Sequence, residues 1–350
     1  MAASLKDIAE KAGVSVSLVS YIVNDKLRDR IKKETWDKVK GAAKELNYIP
    51  HINARNLRSQ FTHNVGICIQ KVSYLETPHF MSFLAGTVRA LGDLDYDFHI
   101  CTTADSDAKR NTYYLNKVNS GQISGLIIED DLLDDKVILR LHEDNVPLVL
   151  INRQLKDKNI PCVLVENANA IYEATKALID RGHKRIFLWQ ASYTASSAHE
   201  KLLGYMRCLK ESNLLFDPDL IGREMSATEV KTHEGYSHSE MARLLNLPDA
   251  PTAMVITSAS FVNNILRYFS SNNIKIADDI SLVVMDFADL SSTFYPQISR
   301  THVSAFQMGY QASDLLVKIM TCKQKNTTFE FPGPLICPYQ YIEGDSIKIL

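Results

Sequence analysis

No run of about 18 consecutive apolar residues occurs in this 350-residue chain, so no segment has the length and apolarity of a membrane-spanning helix. The first residues, MAASLKDIAEKAG, lack a basic stretch followed by an apolar one, and we expect no export signal. CxxC pairs are missing too. The six cysteines, Cys68, Cys101, Cys162, Cys208, Cys322 and Cys337, are scattered singly, which speaks against zinc ligation and for reduced, mostly buried thiols of a cytosolic protein. The chain has no GxGxxG after its early strands, no GxxxxGK[ST] loop, no GxSxG elbow and no HExxH, and none of its ten histidines has another four residues on. Acidic runs such as Glu129-Asp130-Asp131 and Asp134-Asp135 read as solvated loop rather than as an acid–base pair. Enzyme readings therefore lack a motif, and neither a metal site nor a cofactor is expected. The C-terminal EGDSIKIL carries no leucine heptads, so a tetramerising coiled coil is not expected either.

What is present is an ordinary globular composition, 45% apolar and 23% charged, over a length that suits two or three compact units. The net charge of −2 hides an asymmetry. Residues 1–60 hold 12 Lys and Arg against 7 Asp and Glu, a net of +5, while the other 290 hold 27 against 34, a net of −7. A basic head on an acidic body is the arrangement a phosphate-binding module needs when it is joined to a separate domain.

The first sixty residues give that head a shape. Ser4 is placed to N-cap a helix whose third residue, Asp7, completes a capping-box-like pair. Leu5, Ile8, Ala9 and Ala12 recur at helical spacing, and Gly13 ends the helix. Val14 follows, Ser15 is a second N-cap, and Leu18, Val19, Ile22 and Val23 form a new apolar face. A third helix fits Glu34 to Leu46, with Trp36, Val39, Ala43 and Leu46 inward. Two short helices joined by a glycine-containing turn make a helix-turn-helix, whose second helix would enter the major groove of double-stranded DNA through Ser15, Val16 and Ser17. Lys6, Lys26, Arg28, Arg30, Lys32 and Lys33 would meet phosphates, which orient a protein without reading sequence. Many small helical bundles carry such a pattern without touching DNA.

LKDIAEKAGVSVSLVSYIVN followed by KKETWDKVKGAAKELNYIPHINARNL resembles the headpiece of the lactose-repressor (LacI/GalR-type) family. The match runs through D-I-A-x-x-A-G-V-S, V-S-x-x-V-N ending on Asn24, E-T, L-N-Y-x-P and A-R-N-L. The resemblance implies DNA contacts from Ser4, Lys6, Ser15, Val16, Ser17, Leu18, Tyr21, Asn24 and Lys26. Leu18 and Tyr21 stand where the family usually has Thr and Arg. Tyr21 lacks the bidentate fork that reads guanine, so an atypical operator is expected. After the headpiece, PHINARNLRS (50–59) is implied to be a hinge helix that orders when two subunits meet on DNA, because a helix of about nine residues is marginal alone. Its Leu57 would wedge into the minor groove beside Asn53, Ala54, Arg55 and Arg58. The alternative is a polar linker with an incidental leucine.

From His63 onward, VGICI (65–69), FHIC (98–101), GLII (125–128), PLVLI (147–151), CVLV (162–165), RIFLW (185–189), AMVIT (253–257) and SLVVM (281–285) read as strands buried on both faces. Helices fit between them, for example Phe80–Leu94, Ile171–Arg181, Ala198–Ser212 and Phe261–Asn272. That alternation predicts doubly wound α/β units with parallel sheets, in two subdomains. PHFMSFLAG, ISGLII, VPLVLINR, ALIDRGHKRI, KLLGY and ADDISLVVMD also resemble the family, whose sensor has the periplasmic-binding-protein fold with a ligand cleft between subdomains. The expected organisation is a headpiece at 1–49, a hinge at 50–62 and a sensor at 63–342. Within the sensor, one subdomain takes about 63–165 and 291–321, and the other about 166–290 and 322–342.

Ligands of such folds sit beyond the carboxyl ends of parallel strands. Glu129 ends GLII, Asn152 ends PLVLI and Ser258 follows AMVIT. Asp286 follows SLVVM and matches the family's ligand-binding aspartate. Lys201 stands where an arginine is common, and Phe80 where an aromatic often covers the ligand. Each has a plainer alternative: Asp286 as a loop cap, Lys201 as a solvated lysine paired with Glu200, Phe80 as core or dimer interface. Ser258-Ala259 replaces the usual Asn-Asp, and Gln190-Ala191 replaces a glycine pair. With Lys for Arg, a bidentate hydroxyl contact is lost, so either the ligand is not a common sugar or the cleft answers to a protein. The expectation is a homodimeric repressor whose operator affinity is set by a small effector. The alternatives are a sugar-type binding protein without gene control and an α/β enzyme carrying an accessory helix-turn-helix.

Overall fold

The computed structural model describes residues 3–23, 27–48, 62–69, 72–102, 107–129, 133–155, 159–190, 196–225, 234–286 and 288–350. The chain divides into two compact units, residues 1–62 and 63–350. In the first, α1 (Leu5–Ala12), α2 (Val16–Val23) and α3 (Lys33–Glu45) enclose a small core. The capping box of α1 is complete, since the Ser4 N–H donates to Asp7 Oδ2 at 2.7 Å and the Asp7 N–H donates to Ser4 Oγ at 3.4 Å. Gly13 then turns the chain at φ +62°, which glycine adopts without steric cost. Ser15 Oγ accepts from the Leu18 N–H at 3.2 Å and starts α2. Ile8, Ala9, Ala12, Val19, Ile22, Val39 and Ala42 form the core. Ala42 was not expected inside, whereas Trp36, Ala43 and Leu46 are only partly buried around it. Trp36 lies instead under Arg28 and Lys40, 6.0 and 5.7 Å from its ring.

The second unit holds, in order, β1 (Asn64–Ile69), α4 (Pro78–Asp93), β2 (Asp97–Cys101), α5 (Asp107–Asn119), β3 (Gly125–Glu129), α6 (Asp135–Glu143), β4 (Leu148–Ile151), β5 (Cys162–Val165) and α7 (Asn167–Ile179). There follow β6 (Ile186–Trp189), α8 (Ser196–Glu211), α9 (Glu234–Leu245), β7 (Ala253–Ile256), α10 (Val262–Ser271), β8 (Ser281–Asp286), β9 (Ser299–Val303), α11 (Ala305–Gln324), β10 (Leu335–Cys337) and β11 (Tyr339–Ile342). Among the described residues, two sheets form, ordered β10-β5-β4-β3-β1-β2 and β11-β9-β8-β7-β6. Every pairing is parallel except β11 with β9. The eight apolar runs read from the sequence are β1 to β8. β4, β6 and β7 are buried along their whole length, as strands covered by helices on both faces must be.

The subdomain division needs correction. Residues 291–321 do not all belong to the first sheet, because β9 pairs with β8 in the second. Residues 322–342 do not all belong to the second, because β10 pairs with β5 in the first. SRTHV, LIC and YQYI are short or polar, so their pairing is invisible to a reading of apolar runs. Among the described residues the chain therefore crosses between sheets after β5, after β9 and between β10 and β11. Only Pro338 separates the carboxyl end of β10 from the start of β11, and Tyr339 pairs with Val303 at the carboxyl end of β9, so the two sheets meet with their carboxyl ends toward each other. Two helix pairs close the packing through glycine. A Cβ on Gly86 of α4 would strike the Phe306 carbonyl oxygen of α11, one on Gly309 the Phe83 carbonyl, and one on Gly204 of α8 the Ala168 carbonyl of α7. Backbones this close leave room for no larger residue.

Candidate functional site

The headpiece presents one polar, cationic surface. Ser15, Val16, Ser17 and Tyr21 are exposed along the start and one side of α2, with Val16 41% and Tyr21 43% accessible despite their apolar bulk. Lys6, Arg28, Arg30, Lys32 and Lys33 are exposed as well. Two expected contact residues have other duties: Ser4 is engaged with Asp7 as the α1 cap, and Leu18 packs partly against the core. The Asp7 carboxyl is held below its ordinary value by its hydrogen bonds from Ser4. Lys11 pairs with Glu45 at 2.6 Å and ties α1 to α3. Asn24, Lys26, Asn53, Ala54, Arg55, Leu57 and Arg58 lie outside the described residues.

In the second unit, most of the predicted ligand residues stand at the carboxyl strand ends. Asp286, the last residue of β8, is fully buried, and its Oδ1 accepts from the Ala288 N–H at 3.0 Å. Ser258 follows β7, accepts from the Ser260 N–H at 3.4 Å and so caps the turn that leads into α10. Lys201, half-buried on α8, reaches the Thr257 carbonyl at 3.3 Å and thereby spans from α8 to the end of β7. Its neighbour Glu200 instead accepts from Asn167 Nδ2 at 2.9 Å. Asn152, at φ +49° just past β4, accepts from the same Asn167 amide at 2.9 Å.

Glu129 ends β3 with its side chain only 9% exposed. Tyr74 Oη donates to its Oε1 at 3.0 Å, and His79 Nε2 donates to the same oxygen at 2.7 Å. Phe80 is the departure from expectation. It is wholly buried between Tyr74 and Phe83, with ring centroids 5.5 and 6.1 Å away, and belongs to the core. The helix starts at Pro78 under the Thr77 cap, which turns Phe80 inward and sets His79 against Glu129. The motif PHF offered both residues, and only their placement on α4 separates them.

Four of the six thiols take no part in this chemistry. Burial raises Cys101, Cys162, Cys208 and Cys337 to about 11, so they stay protonated. Among the described residues, no group of three His, Cys, Asp or Glu is placed to hold a metal ion, and no helix is long and apolar enough to cross a membrane. A cavity of about 430 Å³ opens away from the strand carboxyl ends, where Pro147 and Pro161 lead into β4 and β5 and Phe329, Phe331 and Lys323 form a wall.

A three-helix unit with an exposed polar helix face and a cationic rim, together with two parallel sheets meeting at their carboxyl ends, defines a helix-turn-helix regulator with a periplasmic-binding-protein-like sensor. Comparison with known proteins agrees along the chain. The family of bacterial regulatory proteins of the lacI type matches residues 4–51. Residues 62–342 match the family of periplasmic binding proteins and sugar-binding domains of the LacI family. The chain belongs to the LacI family and is a DNA-binding transcriptional regulator. Similar relatives include the HTH-type transcriptional regulator RegA of Clostridium saccharobutylicum, 28% identical over 93% of this chain and 94% of the relative. The HTH-type transcriptional repressor PurR of Histophilus somni is also 28% identical, over 92% and 94%. Among solved structures, the Lac repressor dimer bound to operator and the anti-inducer ONPF has a similar fold, with a TM-score of 0.82 and 21% identity over 99% of both chains. The CelR–cellobiose complex has a TM-score of 0.69 and 22% identity over 98% of this chain and 99% of that one.

Proposed function

We propose that this chain is a cytoplasmic, homodimeric repressor that acts by binding, not by catalysis. Two headpieces take the two halves of a double-stranded operator, and a small metabolite held between the subdomains changes operator affinity. The observation that carries the reading is the exposed α2 face of Ser15, Val16, Ser17 and Tyr21 bordered by Lys6, Arg28, Arg30, Lys32 and Lys33. A major-groove helix needs polar or adaptable residues at its start and cations on its flanks. The similarity to a Lac repressor dimer bound to operator supports the two-copy arrangement. Within it, Asn24 and Lys26 extend the headpiece contact. Asn53, Ala54, Arg55, Leu57 and Arg58 supply the minor-groove contact implied by the family resemblance.

Glu129, Asn152, Lys201, Ser258 and Asp286 are our candidates for effector contacts. The placement of Glu129, Asn152, Ser258 and Asp286 at strand ends on the two sheets, with Lys201 reaching the end of β7 from α8, supports them, because a molecule touching both walls favours whichever subdomain arrangement it binds more tightly. Selection of binding sites from random double-stranded DNA with the full chain tests the function. The expected product is an inverted repeat bound by two copies. Enrichment of single half-sites bound by one copy would overturn the dimeric reading, and no enrichment at all would overturn the repressor.

A further inference from the structure

We propose that the cleft takes a small molecule bearing a protonated amine, and that Glu129 is its anchor on the first subdomain. This rests on reading the space between the subdomains as the effector site. Glu129 Oε1 receives two donors, Tyr74 Oη and His79 Nε2. Its other oxygen, Oε2, is buried and meets no hydrogen-bond partner among the described residues. A buried carboxylate oxygen without a donor is costly, and native structures rarely keep one without a use.

Two amide oxygens just past β5 and β6 are unused as well. Asn167 Oδ1 and Gln190 Oε1 are buried and have no partner among the described residues. The Asn167 amide cannot be turned to relieve this, because its Nδ2 already donates to Asn152 Oδ1 and Glu200 Oε2. Gln190, at the end of β6 and 2% exposed, adds one unused donor group, its Nε2. Glu129 Oε2 and Asn167 Oδ1 can only accept, so the partner missing at each is a donor; Gln190 and the indole Nε1 of Trp189, the last residue of β6, have unused donors too.

Charge narrows the class further. Glu129 ends a strand of one sheet and the buried Asp286 a strand of the other, while Lys201 reaches the Thr257 carbonyl. His79 Nε2 donates its N–H to Glu129, so that ring atom is not open to an anion. A phosphate or carboxylate placed at Glu129 would meet a carboxylate in poorly solvated surroundings, where like charges repel most strongly. An ammonium group meets the reverse, and its hydrogen bonds to carboxylate are the strong, charge-assisted kind.

The test is a thermal-shift and calorimetric comparison of the full chain against matched compound sets. Hexose, nucleoside and short alkyl frames would each be offered as free amine, as N-acetyl amide and as phosphate ester. The free amines should give the stabilising hits, because ligand binding to the native state raises its melting point. Glu129→Gln should weaken the best amine at least tenfold, with an unchanged or higher melting point in its absence. Preference for the amides or phosphate esters would overturn the amine assignment without any variant being needed. An amine hit bound equally by Glu129→Gln would remove Glu129 from the site. Stabilisation by no set at all would count against the effector reading beneath the proposal.

Discussion

The side-chain amide of Asn167 donates to Asn152 Oδ1 at 2.9 Å and so joins the segment after β4 of the first sheet to the first turn of α7, which packs on the second. The same nitrogen donates to Glu200 Oε2 on α8 at 2.9 Å. One buried amide thus holds two acceptors from opposite sides of a chain crossing, beside the residues proposed to touch the effector. Asn167→Ala should lower stability by about 1–2 kcal/mol, the net value of hydrogen bonds lost in a half-buried setting. Asn167→Asp should cost more, since it sets a carboxylate against two acceptors, and the excess should shrink as acid protonates it. Denaturant titrations at two pH values measure both. Equal costs for Ala and Asp would mean the amide bridges nothing.

Gly86 and Gly92 lie on the same helix and should respond oppositely. A Cβ at Gly86 runs into the Phe306 carbonyl, so Gly86→Ala must push α4 off α11 and should cost about 1–3 kcal/mol, the range for overpacking. Nothing lies within 4 Å of a Cβ at Gly92. There alanine should be neutral or stabilising by up to ~1 kcal/mol through helix propensity. Thermal melts of the two variants and the parent decide it.

His183 is buried between Thr252 Oγ1 at 2.8 Å and the Lys348 carbonyl at 3.2 Å. Burial lowers its pKa from the ordinary 6.5, so between the lowered value and 6.5 the unfolded chain holds a proton that the folded one does not. Stability from this residue is complete above pH 6.5 and declines as pH falls below it. His183→Gln should flatten the stability–pH curve over that window. A parallel curve would show that other groups set the slope.

The +5 charge of residues 1–60 sets the salt response of DNA binding. For a dimer with several phosphate contacts per headpiece, log affinity should fall against log salt with a slope steeper than about −4. Tyr21→Ala should weaken the selected operator more than random DNA, because Tyr21 belongs to the exposed α2 face and carries no charge. Fluorescence anisotropy on both duplexes over a salt series checks the pair. A flat slope, or equal losses on both duplexes, would remove these residues from the interface.

The sequence by itself determined what neighbours along the chain decide. Ser4 with Asp7 and Gly13 bracket α1, Ser15 opens α2, and β-branched apolar runs mark β1 to β8, because capping, left-handed turns and burial periodicity act over a few residues. The strand-end rule even reached Glu129, Asn152, Ser258 and Asp286 without any contact being known. Tertiary structure alone decided what those residues meet. Tyr74 and His79 come to Glu129 from 55 and 50 positions away, and Asn167 comes to Asn152 across a crossing between sheets. The burial of Phe80 beside a partly exposed His79 depends on how α4 lies over its sheet. β9 and β10 exchange subdomains relative to their order in the chain. Their residues are too polar or too few to carry a pattern, so only hydrogen bonds to strands far away in sequence assign them to a sheet.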